Sequence, residues 1–266
     1  MRARTTAAAL LMTVTGVAAP VMAQTPQACR VELEFPANCA STGPAGTPYR
    51  PGANCRVVAV DGFPRQYIVY VPNTGTGPLP VVFMHHGSSG TGLKFFNISG
   101  WREKADEVGL VAVFPTALEV YFLEEKRCTT KWNAYNLEDQ IRPDIKPVIV
   151  HPNGMPPQEY PGDAPWPADD IAFVRAMLGD LQAGMPIDSS RVYLSGFSNG
   201  AGFGFRASIE MSDVLAAVGI TGGGMHGPQD GLPPVPLRYI PVVLQLGRAI
   251  PRSARRWASR STSTPA

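Results

Sequence analysis

The sequence is poor in charged residues and in histidine. Asp, Glu, Lys and Arg make up 17% of the 266 residues, and there are four histidines. With 44% hydrophobic residues, this composition predicts one domain with a sizeable core. The 27 Gly and 27 Pro residues predict long loops in addition.

The central part of the chain lacks a basic excess. The first 23 residues hold two arginines and no acids, and the last 19 hold five arginines and no acids. Residues 24–247 therefore contain 16 basic and 21 acidic side chains, although the whole chain has a formal charge of +2. Because nucleic-acid binding needs a clustered basic face, we predict no nucleic-acid partner.

Only the N-terminus carries a hydrophobic stretch that resembles a signal peptide or a membrane anchor. Arg2 and Arg4 precede an apolar run at 7–17, and the small residues Val21 and Ala23 can flank a cleavage site. A membrane anchor is the alternative, but the run is short and interrupted, which favours a secretory signal peptide at 1–23. No later segment is long enough to cross a bilayer, so we predict a secreted protein, extracellular or periplasmic, without membrane attachment after cleavage.

The cysteines lack the close C-x2-C spacing that is typical of metal sites. Four remain after cleavage: Cys29, Cys39, Cys55 and Cys128. An even number in an exported chain predicts two disulfides and no metal site. Three pairings are possible, and the sequence does not choose between them.

The pattern of apolar runs predicts an α/β fold. Strands are expected at 56–60 and 66–71, joined by an Asp61-Gly62 hairpin turn, and as unbroken apolar runs before His85 and at 109–115, 191–196, 215–221 and 240–246. Helices are expected at 99–109, 169–181 and 198–211. This alternation is typical of a mostly parallel sheet flanked by helices.

The predicted organisation has four parts. A Cys- and Pro-rich extension at 24–54 follows the signal peptide, the α/β domain spans 55–247, and a disordered Arg/Ser tail occupies 248–266. Within the domain, 116–167 is a long insertion loop. It is either a substrate-facing lid, with Trp132 as a candidate substrate-binding residue, or solvated filler held by Cys128.

A G-x-S-x-G motif, Gly196-Phe-Ser198-Asn-Gly200, stands between a predicted strand and a predicted helix. This is the setting of a nucleophile elbow, in which the serine oxygen projects above the sheet, so Ser198 is the candidate nucleophile. A tight turn without chemistry is the alternative. The backbone N–H of Asn199 and the glycine-rich stretch HHGSSGTG at 85–92 are candidate oxyanion donors.

Together these motifs resemble the secreted polyhydroxybutyrate depolymerase esterases, which are similar to feruloyl and acetylxylan esterases. The resemblance covers about 54–247 and rests on VDGFPRQYIVYVP, the HG loop, W-x3-AD-x-x-G, DDIAFVRAMLGDL and SSRVYLSGFSNGAG. It implies an α/β-hydrolase fold, Ser198 as nucleophile and an oxyanion hole formed by His86, Gly87, Ser88 and Asn199.

The expected partners of the serine are missing. In this fold the acid and the histidine follow the serine in chain order. The resemblance leads us to expect both after the strand at 240–246, in a last strand and helix that we predict to be absent. The tail at 248–266 holds neither His, Asp nor Glu, which suggests a frameshift, with a natural basic tail as the alternative. His226 and Asp230 are the substitute base and acid.

These features predict a secreted serine esterase that acts through an acyl-serine intermediate and needs no cofactor. Without a base it would be inactive. The expected substrates are polyesters of hydroxyalkanoates, with cinnamoyl or acetyl esters of plant polysaccharides as the alternative. A non-catalytic ester- or glycan-binding module is the competing hypothesis. The sequence predicts nothing about oligomeric state.

Overall fold

The structure is a computed structural model that describes residues 25–75, 77–151, 155–228, 231–232 and 234–247. The described residues form a central sheet, two small sheets, four α-helices and one 3-10 turn at Glu138–Gln140. The strands are β1 (Cys29–Val31), β2 (Ser41–Pro44), β3 (Gly52–Val60), β4 (Phe63–Val71), β5 (Leu79–His85), β6 (Val111–Pro115), β7 (Glu119–Phe122), β8 (Arg127–Thr130), β9 (Pro147–Ile149), β10 (Gln158–Glu159), β11 (Ile187–Phe197), β12 (Ala217–Thr221) and β13 (Val242–Gln245). The helices are α1 (Gly92–Ile98), α2 (Trp101–Val108), α3 (Asp170–Gly184) and α4 (Asn199–Glu210).

The central sheet has eight strands in the order β13-β12-β11-β5-β6-β4-β3-β2. Strands β13 to β6 of this order pair in parallel, whereas β4 pairs antiparallel with both β6 and β3. All five residues of β6 are buried, as expected for a parallel strand that is covered on both faces. The predicted α/β architecture with a mostly parallel sheet is confirmed.

The helices cover both faces of the sheet. Side chains of α3 and α4, such as Phe173 and Phe203, join the larger core cluster, and Phe96 of α1 and Ala105 of α2 join the cluster on the other face. The Asp169 side chain accepts a hydrogen bond from the Ile171 N–H and caps α3. The three predicted helices are present, and α1, which immediately follows the HG loop, was not predicted.

The hairpin β3–β4 turns at the predicted position. Asp61 and Gly62 both have positive φ, 51° and 78°, and Val60 pairs with Phe63. Two successive left-handed residues match the right-handed twist of the flanking strands, which explains the Asp-Gly pair.

Short strands occur where we expected irregular structure. In the N-terminal extension β1 pairs with β9 and β2 pairs with β3, and β7 to β10 lie in the segment 116–167. The disulfides are Cys29–Cys128 and Cys39–Cys55, which selects one of the three possible pairings. The first of them ties the extension to the long insertion.

The strand β13 has a partner only on its β12 side within the described part of the chain, and all four of its residues are exposed. Large apolar side chains before it are exposed as well: Leu232, Val235, Leu237 and Tyr239. In the part of the chain that the structure describes, no helix is long and apolar enough to cross a membrane. The predicted signal peptide and tail lie outside the described residues.

Candidate active site

Ser198 occupies a strained bend between β11 and α4. Its backbone angles are φ 52° and ψ −116°, a region that non-glycine residues seldom adopt. Such a conformation costs on the order of 1–3 kcal/mol and persists only where surrounding contacts impose it. Here the Ser198 N–H donates to the Thr221 carbonyl at 2.9 Å, and the Ser198 carbonyl accepts from Ala201 and Gly202. The side chain is only half-buried, as a nucleophile requires.

The two flanking glycines permit this bend by close backbone approach. A Cβ on Gly196 would lie 2.2 Å from the Gly200 carbonyl oxygen, and a Cβ on Gly200 would lie 2.4 Å from the His85 carbonyl oxygen. Neither position tolerates a side chain without backbone movement. The spacing of the motif therefore follows from the packing of β11, α4 and the end of β5.

The HG loop lies directly beside the serine. A Cβ on Gly87 would be 3.0 Å from the Ser198 Cβ. Within the described residues, the N–H groups of Gly87, Ser88 and Asn199 donate no hydrogen bond. The Gly90 N–H donates to the Gly87 carbonyl at 3.0 Å and closes the turn. Unpaired N–H groups next to a serine can stabilise an oxyanion.

His86 has both ring nitrogens committed to the structure. Its Nδ1–H donates to the Gly87 carbonyl at 2.7 Å, and its Nε2 accepts from the Ala117 N–H at 3.0 Å. These partners define the neutral tautomer, and burial lowers the pKa of His86 to about 4. The side chain of His86 cannot act as a base or contact a substrate, so only its backbone remains a candidate for the oxyanion turn.

His85 is fully buried among aromatic rings. Its ring centroid lies 4.6 Å from that of Trp132 and 4.9 Å from that of Phe203. Burial, with a smaller contribution from His86, lowers the pKa of His85 to about 3. His85 is therefore a neutral core residue.

Trp132 lies in the core beneath the HG turn, which argues against the direct substrate contact predicted for it. The side chain has no exposed surface, and its Nε1–H donates to the His86 carbonyl at 2.9 Å. The buried indole pairs its only polar group with the loop, so it supports the HG turn from below. The sequence pattern around Trp132 did not distinguish a buried tryptophan from an exposed one.

Asn199 has a second role that the sequence analysis missed. Its side-chain Oδ1 accepts from the Trp132 N–H at 2.7 Å, and its Nδ2 donates to the Trp132 carbonyl at 3.1 Å. The residue that follows the serine thus fixes the position of the insertion. Asp170 reinforces this attachment, because it accepts from the Asn133 N–H at 2.7 Å and pairs with the buried Arg65 at 2.8 Å.

His226 shares a cavity with Ser198. The cavity measures about 240 Å³, and its lining includes Ser198, Asn199 and His226 together with Lys131, Asn136 and Gln140 from the insertion. The His226 imidazole packs against the Gly202 and Gly224 backbone and is exposed to solvent. Asp230, the predicted acid, lies outside the described residues. No cluster of three or more His, Cys, Asp or Glu that could hold a metal occurs within the described ranges.

Comparisons with solved structures show a similarity of fold. No family model matches the sequence. A solved structure named pOPH is 18% identical over 79% of this chain and 68% of its own, with a TM-score of 0.50. One named sOPH is 20% identical over 85% of this chain and 61% of its own, with a TM-score of 0.46.

An acetyl xylan esterase from Aspergillus awamori is 17% identical over 60% of this chain, with a TM-score of 0.41. This chain spans about half of that esterase, 47% of its length. At such identities the similarity concerns the fold and not the activity. The chain has the α/β-hydrolase fold, with a mostly parallel central sheet flanked by helices, as its motifs predicted.

Proposed function

We propose that the protein is a serine ester hydrolase with Ser198 as its nucleophile. The observation that carries the proposal is the strained Ser198 backbone at the junction of β11 and α4, beside N–H groups of Gly87 and Asn199 that have no partner among the described residues. A turn without chemistry has no need for a serine at positive φ, where glycine would be unstrained. Strain at this position therefore supports a role for the hydroxyl group.

His226 is the base in this proposal, because it is the one histidine of the described residues that lines the serine cavity. The Ser198 hydroxyl would transfer its proton to the imidazole while its oxygen attacks the ester carbonyl carbon. The alcohol would leave with that proton and an acyl-serine would form. Water, deprotonated by the same imidazole, would then release the acid and restore the serine.

The proposed substrates are short hydroxyalkanoate esters, and the proposed location is outside the cytoplasm. The cavity, about 240 Å³, is suited to a short acyl chain. The two disulfides, Cys29–Cys128 and Cys39–Cys55, support an oxidising compartment.

The test is active-site labelling with a fluorophosphonate probe, combined with turnover of p-nitrophenyl butyrate. We expect the full chain to be labelled, and Ser198→Ala to abolish both labelling and turnover. Ser190→Ala, which alters an exposed serine near the start of β11, is the matched control and should behave as the wild type.

The base is tested by a second pair of variants. His226→Gln should reduce turnover by about 10³-fold or more, because an unactivated serine is a poor nucleophile. His151→Gln, at a histidine outside the cavity lining, should leave it unchanged. If the folded wild type is neither labelled nor active, the proposed esterase activity is refuted and a non-catalytic binding module is favoured.

A further inference from the structure

We propose that the serine cavity selects esters that carry a free carboxylate, and that Lys131 binds this carboxylate. This inference rests on the proposed function and specifies the substrate class of the same site. Lys131 lies in the insertion and lines the cavity that contains Ser198.

The described lining of the cavity contains basic side chains and no acidic ones. Its ionisable side chains are Lys131 and His226, and no Asp or Glu is among the described residues that line it. Apart from Ser198, the remaining polar side chains are the neutral amides Asn136, Gln140 and Asn199. A pocket with a cation and no acid attracts an anionic ligand and disfavours a cationic one.

The Lys131 ammonium group has no carboxylate partner in the described part of the chain. Its Nζ lies 3.7 Å from the centroid of the Phe122 ring, and it forms no salt bridge with a described residue. The nearest acid in sequence that could compete, Glu125, is already paired with Arg127 at 2.6 Å. An ammonium group held over an aromatic ring keeps its charge but leaves its N–H donors free for a ligand.

Burial gives this charge more effect than a surface lysine would have. Lys131 is half-buried, and desolvation lowers its pKa, an effect that Glu125 and Glu124 partly oppose. A partly desolvated cation is screened less by water and salt, so it binds an anion more strongly.

The backbone of Lys131 is held at a defined place relative to the nucleophile. Its N–H donates to the Leu118 carbonyl at 3.1 Å, and the next residue, Trp132, is hydrogen-bonded through both backbone groups to Asn199. Asn199 directly follows Ser198. The Lys131 backbone and the nucleophile are therefore linked through two hydrogen-bonded residues, which places the root of the lysine side chain beside the reactive serine.

A short ester of a hydroxy acid fits these features. Its terminal carboxylate would contact Lys131 while its ester carbonyl faces Ser198, and hydrolysis would add one water to release two hydroxy acids. A neutral ester of the same length would lose the ionic contact. The site would thus cut esters close to a free carboxyl end.

The experiment compares the linear dimer of 3-hydroxybutyrate as the free acid with its methyl ester. We expect Lys131→Met to lower the ratio of kcat/KM for the free acid to that for the methyl ester by about tenfold, the effect of a partly exposed ion pair. Lys131→Arg should retain most of the ratio. Lys104→Met, which removes an exposed lysine paired with Glu107 on α2, should not change it.

Binding separates this inference from the proposed function. Calorimetry on Ser198→Ala should show tighter binding of the free-acid dimer than of its methyl ester, and the added change Lys131→Met should remove the difference. If the enzyme turns over both esters but the free-acid to methyl-ester ratio of kcat/KM does not depend on Lys131, the inference is overturned and the proposed esterase activity stands. If the free-acid dimer binds selectively but the wild type hydrolyses neither ester, the proposed hydrolase activity is refuted and the carboxylate-binding site is supported.

Discussion

Replacing His85 by leucine should make the protein less sensitive to acid. The imidazole is fully buried, and burial lowers its pKa to about 3, whereas an unfolded chain protonates histidine near its ordinary pKa of about 6.5. Below this pH the unfolded state binds a proton that the folded state does not. The free energy of unfolding is therefore highest above about pH 6.5 and falls as the pH decreases towards the pKa of His85 in the folded protein.

The size of the effect follows from the two pKa values. Between pH 7.5 and pH 5.0, linkage predicts a loss of about 2 kcal/mol in the free energy of unfolding for a histidine shifted this far. His86, with its pKa lowered to about 4, should contribute a similar loss. The wild type should lose about 4 kcal/mol from the two residues, and His85→Leu should lose only about 2 kcal/mol.

Urea unfolding at pH 7.5 and 5.0, with the disulfides intact, measures this difference. Leucine has nearly the volume of histidine and no titrating group, so the packing against Trp132 and Phe203 is largely retained. Contributions from carboxylates cancel between the two proteins. Equal losses of stability in wild type and variant would show that His85 is not held neutral by burial.

Two further predictions concern the elbow and the extension. Gly200→Ala should destabilise the protein by about 2–4 kcal/mol and abolish fluorophosphonate labelling, because its Cβ would lie 2.4 Å from the His85 carbonyl oxygen. Gly179→Ala, at an open position in α3, is the control and should stabilise the protein by up to about 1 kcal/mol. Equal effects of the two substitutions in thermal unfolding would contradict the steric argument. Replacing Cys29 and Cys128 by serine should lower the free energy of unfolding by about 4–5 kcal/mol, since this disulfide joins residues 99 apart. Removing the Cys39–Cys55 disulfide, whose residues are 16 apart, should cost less, and a larger loss from this second disulfide would contradict the chain-entropy account.

Much of the fold was predictable because its signals are local. The apolar run of β6 and the Asp61-Gly62 turn of the β3–β4 hairpin reflect constraints within a few residues of chain. The elbow is local only in part, because Gly196 is required by its close approach to Gly200, whereas Gly200 is required by the backbone at the end of β5. Helix α1 was missed because the glycines and serines before it are typical of a loop.

The N-terminal extension and the insertion were not predictable in the same way. Their short strands, β1 with β9 and β2 with β3, pair with distant segments and have no periodic pattern of their own. The partner of Cys29 depends on where the insertion crosses the extension. Such contacts arise from the packing of distant segments and leave no local trace.

The amino-acid sequence by itself determined the order of the main strands and helices of the α/β domain and the position of the strained serine, because backbone sterics and apolar periodicity act over a few neighbouring residues. Tertiary structure alone decided the environment of each side chain around it. It buried Trp132 together with His85 and His86, and it left Lys131 and His226 lining the cavity of Ser198. Burial and proximity depend on which distant segments meet, and that is decided only when the whole sheet, its helices and its disulfides are packed together.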